Sequence, residues 1–168
     1  ISDLPVHRAA AITHVLTDID DTLTDSGRLS LAAYDALWRL SDAGLTVVPV
    51  TGRPAGWCDC IMRQWPVDAV VGENGAFTCF RDGESIGELI HPDVASLDVR
   101  GRLDEVRERV LSTVPGARVA RDQSYRRFDL ANDFREDPPR LGFDVAEDIA
   151  RICTEMGAQA KISSIHVN

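Results

Sequence analysis

The sequence predicts an α/β protein, with a parallel-sheet core first in the chain and an α+β module after it. Three observations carry that reading. An apolar run beginning at His14 breaks into three acids within four residues, Asp18, Asp20 and Asp21, the composition of a buried central strand with its mouth at a sheet edge where ligands gather. A helix-period segment and a second apolar run follow at the spacing of a right-handed βαβ unit. From His91 onward, charged amphipathic helices and short alternating strands replace the buried runs.

Each element follows from its residues. After the first strand, Asp25-Ser26-Gly27 marks a turn. Leu29, Ala33, Leu37 and Leu40 recur at helical spacing, with Ser30 placed to cap the start and Gly44 to stop the end. Residues 45–50 read as a second buried strand, against which Pro49 is a mild objection. Pro54 favours the first turn of a helix running to about Trp65, and Pro66 stops it. Residues 67–71 form a third strand leading into Gly72-Glu73-Asn74-Gly75-Ala76, where Asn-Gly is a bare hairpin signal. A hairpin follows, 77–80 and 85–90 flanking residues 81–84.

The second part reads as a helix over 98–114, with Leu103, Val106, Val110 and Leu111 on its apolar face. Antiparallel strands over 117–121 and 127–130 flank residues 122–125, and a polar, proline-rich loop spans 132–140. A helix over about 144–156 stops at Gly157 and feeds a strand over 159–167.

Composition bounds the function. Hydrophobic residues make up 44% and charged residues 27% of 168, an ordinary soluble globular balance. The formal net charge of −9 argues against nucleic acid or an anionic membrane surface as partner. It also means that an anionic substrate needs a metal or local cations. Lys161 is the only lysine among 18 basic residues, a bias that a GC-rich genome explains as well as phosphate recognition does. No apolar run approaches membrane-spanning length, and residues 1–13 lack the apolar core of a signal peptide. Cys58, Cys60, Cys79 and Cys153 have neither disulfide-framework nor zinc spacing; thiols in a reducing cytoplasm are the expectation. Cys58 and Cys60, two apart on a helix, point to different faces.

The chemistry concentrates at two strand ends. Asp18 and Asp20 stand two apart, so a continuing extended chain puts both carboxylates on one side. That arrangement is a paired-carboxylate site or a polar turn with Asp21 or Asp25 capping, and the residues alone leave both open. Arg53 is equally open between anion contact and an ordinary surface arginine. Tyr125, Arg126 and Arg127 read as a charged hairpin face or a ligand contact. Ser164, His166 and Asn168 share one side of the last strand, solvated or lining a substrate.

Asp18-Ile19-Asp20-Asp21-Thr22 after an apolar strand, with Thr51-Gly52-Arg53-Pro54 ending a second, closely resembles the first two motifs of the haloacid dehalogenase superfamily. That superfamily comprises phosphohydrolases and phosphomutases. The resemblance is strong to about Gly75 and rests on pattern thereafter. It implies a parallel three-layer Rossmann-like core over 1–83 and an inserted α+β cap over 84–168, of the capped subfamily IIB with a C2-type cap, similar to the Cof and sucrose-phosphatase group. The Glu73-Asn74-Gly75-Ala76 stretch is similar to one at this point in that subgroup.

The resemblance makes Asp18 the nucleophile that forms an aspartyl-phosphate. Asp20 becomes the acid for the leaving group and then the base for water, held neutral by repulsion from its neighbour. Mg²⁺ is implied on Asp18 and the backbone carbonyl of Asp20. Thr51, Gly52 and Arg53 contact the phosphoryl group. Thr22 braces the loop, and Asp21, where many relatives have glycine, is a solvated turn residue. The superfamily's third motif, a base, and its fourth, an acidic stretch, are expected beyond residue 168. The implied activity is a cytoplasmic Mg²⁺-dependent phosphatase acting on a small phosphorylated metabolite such as a sugar phosphate. The alternatives are a phosphomutase or, if 168 residues are the whole chain, a non-catalytic binding or scaffold protein. Oligomeric state has no signature in the sequence.

Overall fold

The computed structural model describes residues 5–95 and 98–168, in two compact units that divide between His91 and Pro92. In the first unit a short helix α1 (Val6–Ala9) precedes β1 (His14–Asp18). A small antiparallel ribbon, β2 (Thr24–Asp25) with β3 (Arg28–Leu29), leads into α2 (Leu31–Asp42). Ser30 caps α2, its hydroxyl oxygen accepting from the Ala33 N–H, and Gly44 follows the helix at φ +76°, where only a residue without a Cβ sits at ease.

β4 (Thr46–Val50), α3 (Ala55–Gln64) and β5 (Ala69–Gly72) continue the wind, and β6 (Phe77–Asp82) and β7 (Ser85–Ile90) close it as a hairpin. The five strands lie in the order β1-β4-β5-β6-β7, parallel from β1 to β5 and antiparallel beyond. This is an α/β fold on a mixed sheet. β1 pairs β4 from His14 opposite Thr46 to Asp18 opposite Val50, so Asp18 and Thr51 end adjacent parallel strands, as the βαβ spacing requires. Pro49 sits within β4 all the same.

Among the described residues β4 is the one neighbour of β1, and Leu16 is 67% exposed. One expectation changes here. The boundary expected after residue 83 falls at 91/92, because β7 pairs along the whole of β6 and thus belongs to the core sheet.

Both ends of α3 are held from outside the helix. Pro54, at its N-cap, makes no side-chain cap; the Ala55 N–H donates instead to Glu73 Oε1 at 2.9 Å. At the other end Arg81 donates to the Met62 carbonyl at 2.7 Å, filling an acceptor the helix end leaves open, and to the Val67 carbonyl just beyond it at 3.0 Å. Cys58 is buried on this helix and Cys60 exposed, on different faces as their spacing predicts.

The second unit begins with α4 (Pro92–Ala95) and α5 (Val99–Thr113), which Asp98 caps through the Gly101 N–H. β8 (Arg118–Val119), β9 (Asn132–Asp133) and β10 (His166–Val167) form an antiparallel sheet with β9 central, and α6 (Phe143–Glu155) lies between β9 and β10 in sequence. Val106, Val110, Phe134, Ile149, Ile152 and Val167 are in its core.

The strand expected over 127–130 does not form. Residues 121–125 coil as a 3₁₀ turn, and the buried Arg126 guanidinium reaches Asp122 at 3.4 Å and Asp129 at 2.9 Å. Gln123 takes backbone groups that a ladder would use, its Nε2 donating to the Asp129 carbonyl at 3.0 Å and its Oε1 accepting the Ala131 N–H at 2.9 Å. Tyr125 and Arg127 are exposed, Arg127 stacking on Phe128. The expected polar loop over 132–140 instead opens with the central strand, whose polar side chains are buried: Asn132 Nδ2 donates to the Val167 carbonyl at 3.4 Å while its Oδ1 has no partner among the described residues. Asp133 accepts from Arg118 Nε at 2.7 Å and from the Glu136 N–H at 2.7 Å. The last strand is shorter than 159–167, being His166–Val167 with a bridge from Ile162 to Val167. His166 is buried against Glu136, with Nε2 and Oε2 2.9 Å apart, so it is neither solvated nor on an open face.

Candidate active site

β1 ends at Asp18, whose carboxylate is exposed at the strand end and accepts the Ile19 N–H through Oδ1 at 2.8 Å. The chain does not stay extended. Ile19 plugs into the core at 2% exposure, and its carbonyl collects the N–H groups of Thr22, Leu23 and Thr24. Asp20 is therefore delivered by a turn and not by strand alternation. Asp21 lies at φ +58°, the left-handed region that Asp tolerates and glycine prefers, which accounts physically for glycine at such a position. Thr24 does the bracing expected of Thr22: its hydroxyl donates to the Ile19 carbonyl at 3.2 Å and accepts the Asp21 N–H at 3.3 Å.

Asp20 is gripped from the neighbouring strand end. Arg53 Nε donates to Oδ2 and Nη2 to Oδ1, each at 2.9 Å, a bidentate fork on a carboxylate. The guanidinium carbon also lies 4.5 Å from the Trp57 ring centroid, within cation–π range. Charge repulsion between Asp18 and Asp20 is therefore not the whole electrostatic setting of Asp20, because a cation is in direct contact with it. Arg53 is thus not a bare surface arginine: through Nε and Nη2 it holds Asp20.

Thr51 is 3% exposed and pinned on three sides. Its N–H donates to the Val71 carbonyl at 2.9 Å, its carbonyl accepts the Asn74 N–H at 3.2 Å, and its hydroxyl oxygen accepts the Arg53 N–H at 3.0 Å. The hydroxyl proton is left to be donated. Gly52 follows in the same tight turn. The sequence reading thus named Asp18, Asp20, Thr51, Gly52 and Arg53, and the structure brings them to adjacent strand ends. Trp57, in the first turn of α3, was not expected there, and Glu73, in a stretch that supports the family resemblance, was given no role in the site.

Residues 15–96 match the family described as haloacid dehalogenase-like hydrolase. Over those 82 of its 168 residues the chain is similar to the haloacid dehalogenase-like hydrolases. Solved structures agree at the level of fold. A Thermoplasma acidophilum protein is 19% identical with a TM-score of 0.72, over 93% of this chain and 64% of its own. The C-terminal domain of C. albicans trehalose-6-phosphate phosphatase is 20% identical with a TM-score of 0.69, over 97% of this chain and 59% of its own. A Bacteroides thetaiotaomicron protein grouped with the superfamily's phosphatases is 20% identical, with a TM-score of 0.50. The chain thus spans about three fifths of the length of the first two. No curated protein sequence matches it. Among the described residues no helix is long and apolar enough to cross a membrane.

Proposed function

We propose that the protein is a Mg²⁺-dependent phosphatase of small phosphorylated metabolites, working through an aspartyl-phosphate. The observation that carries this is the meeting of Asp18 with the Thr51 turn at adjacent parallel strand ends. One supplies an exposed carboxylate oxygen, the other a hydroxyl proton and the backbone of Gly52, which lets a phosphoryl group come close.

In this reading Asp18 attacks phosphorus and the ester oxygen leaves, taking a proton from Asp20. Water then attacks the phosphoaspartate, gives its proton to Asp20 and releases phosphate, regenerating Asp18. Both Asp20 oxygens accept from Arg53, and each keeps a further lone pair that can carry the proton. Arg53, stacked on Trp57, orients Asp20.

The donors fit Mg²⁺ in kind: the Asp18 carboxylate and the Asp20 carbonyl are hard oxygens, and Mg²⁺ keeps several waters. Among the described residues no group of three acids, histidines or cysteines could hold a metal ion, so this chain would contribute those two ligands. Bound there, the ion would neutralise phosphoryl charge. We assign residues 92–168 as the cap module on their α+β composition and the protein to the cytoplasm on its thiols. Sugar phosphates are the first substrates to screen, because the fold is shared with a trehalose-6-phosphate phosphatase domain.

The test is phosphate release by the full-length protein in MgCl₂ from p-nitrophenyl phosphate and a panel of sugar phosphates, with Asp18→Asn as control. Turnover is expected from the parent and none from the variant, because an amide does not attack phosphorus. Near-normal turnover with Asp18→Asn, or no release from any ester, overturns the reading.

A further inference from the structure

Glu73 is a buried carboxylate, 2% exposed, at the C-terminal end of β5. Its backbone lies at φ +45°, and that of Asn74 at +58°. A long side chain in the left-handed region is held there by its surroundings, and such strain clusters where a structure is organised for function. What holds it is specific. Glu73 Oε1 accepts the Ala55 N–H at 2.9 Å, at the start of α3, where Pro54 provides no cap. The Glu73 N–H donates to the Arg53 carbonyl at 3.2 Å, and the Asn74 N–H to the Thr51 carbonyl at 3.2 Å. On the β5 side, a Cβ at Gly72 would lie 2.4 Å from the Phe77 ring and 2.6 Å from Cys58 Sγ, so the chain has no slack to turn elsewhere.

We infer that Glu73 is a positioning residue for phosphate recognition: it clamps the Thr51-Gly52-Arg53 turn to the start of α3 and so fixes the donors that meet the phosphoryl group. The inference rests on the proposed phosphatase site and deepens it. Side chain and backbone act together. The carboxylate holds the helix start, and the strained peptide units hold the turn from the other side. A carboxylate also suits the positive end of a helix. Glu73 touches no substrate; it acts through Thr51 and Arg53.

The probe is inorganic phosphate in MgCl₂, titrated into the chain and followed at the Thr51, Gly52 and Arg53 amides by NMR, with the thermal midpoint recorded for every variant. Glu73→Gln keeps an oxygen for the Ala55 N–H and should hold phosphate within about threefold of the parent. Glu73→Ala should weaken phosphate about tenfold, the order expected for one lost hydrogen-bonded support. Glu73→Gly relieves the backbone strain while removing the clamp, so it remains informative if the alanine variant does not fold, and should weaken phosphate to the same extent. A purely structural role would lower the midpoint while folded molecules kept their affinity. Alanine and glycine variants that bind phosphate within twofold of the parent overturn the inference and leave the site standing. A parent chain whose Thr51, Gly52 and Arg53 amides do not respond to phosphate overturns both.

Discussion

Asp20→Asn separates two roles that the structure gives one side chain. Asp20 is the partner of Arg53, and in the proposed mechanism it is the proton donor. The ion pair stands partly in water, Arg53 12% and Asp20 38% exposed. Its two charge-assisted bonds are therefore discounted from the buried value to about 1–2 kcal/mol. Asparagine keeps one oxygen, so part of that survives. Misplacing Arg53 and the turn costs every substrate alike, at most about 30-fold. The lost proton is different. General acid catalysis is worth on the order of 10²–10⁴-fold, or about 2.7–5.4 kcal/mol, and it matters only when the leaving oxygen needs a proton. An alkyl sugar phosphate has such a leaving group; p-nitrophenyl phosphate does not. Rapid-quench measurement of phosphoenzyme formation isolates the first step, since breakdown also uses Asp20. The alkyl ester should lose at least about 100-fold more than the aryl ester. Equal losses would show that Asp20 serves Arg53 and is not the acid.

Two further predictions concern the fold around the site and the second unit. Asp133 has a side chain 2% exposed, facing Arg118, and Asp133→Ala should cost about 1–3 kcal/mol in urea denaturation by leaving Arg118 Nε and two backbone N–H groups without their acceptor, while Arg118 Nη2 keeps the Asp137 and Pro139 carbonyls. Burial pushes the Asp133 carboxyl up, but Arg118 and the N–H groups of Glu136 and Asp137 outweigh it and hold it below its ordinary value. A lowered carboxyl contributes stability that is complete above its unfolded value and is lost as pH falls through the folded one; acid titration of the second unit should show that loss below about pH 4, and Asp133→Asn should remove it. Gly72→Ala should destabilise the first unit by about 1–3 kcal/mol through overpacking against Phe77 and Cys58, read as a lower urea midpoint; an unchanged midpoint would mean that the strand end yields freely.

Legibility divided along a physical line. Periodicity and punctuation encode local structure, so α2 with its Ser30 cap and Gly44 stop, the β6–β7 hairpin, α5 and α6 could be read from the chain, and the βαβ spacing placed Asp18 beside Thr51. Polar composition misled in the second unit, because burial depends on what lies alongside: Asn132, Asp133 and His166 are buried, and partners such as Arg118 beside Asp133 make that tolerable. The electrostatics of the site were decided by tertiary structure alone. Arg53 meets Asp20 across 33 residues and Glu73 meets the Ala55 N–H across 18; no local pattern encodes either contact, since each exists only once parallel strands have set their ends side by side.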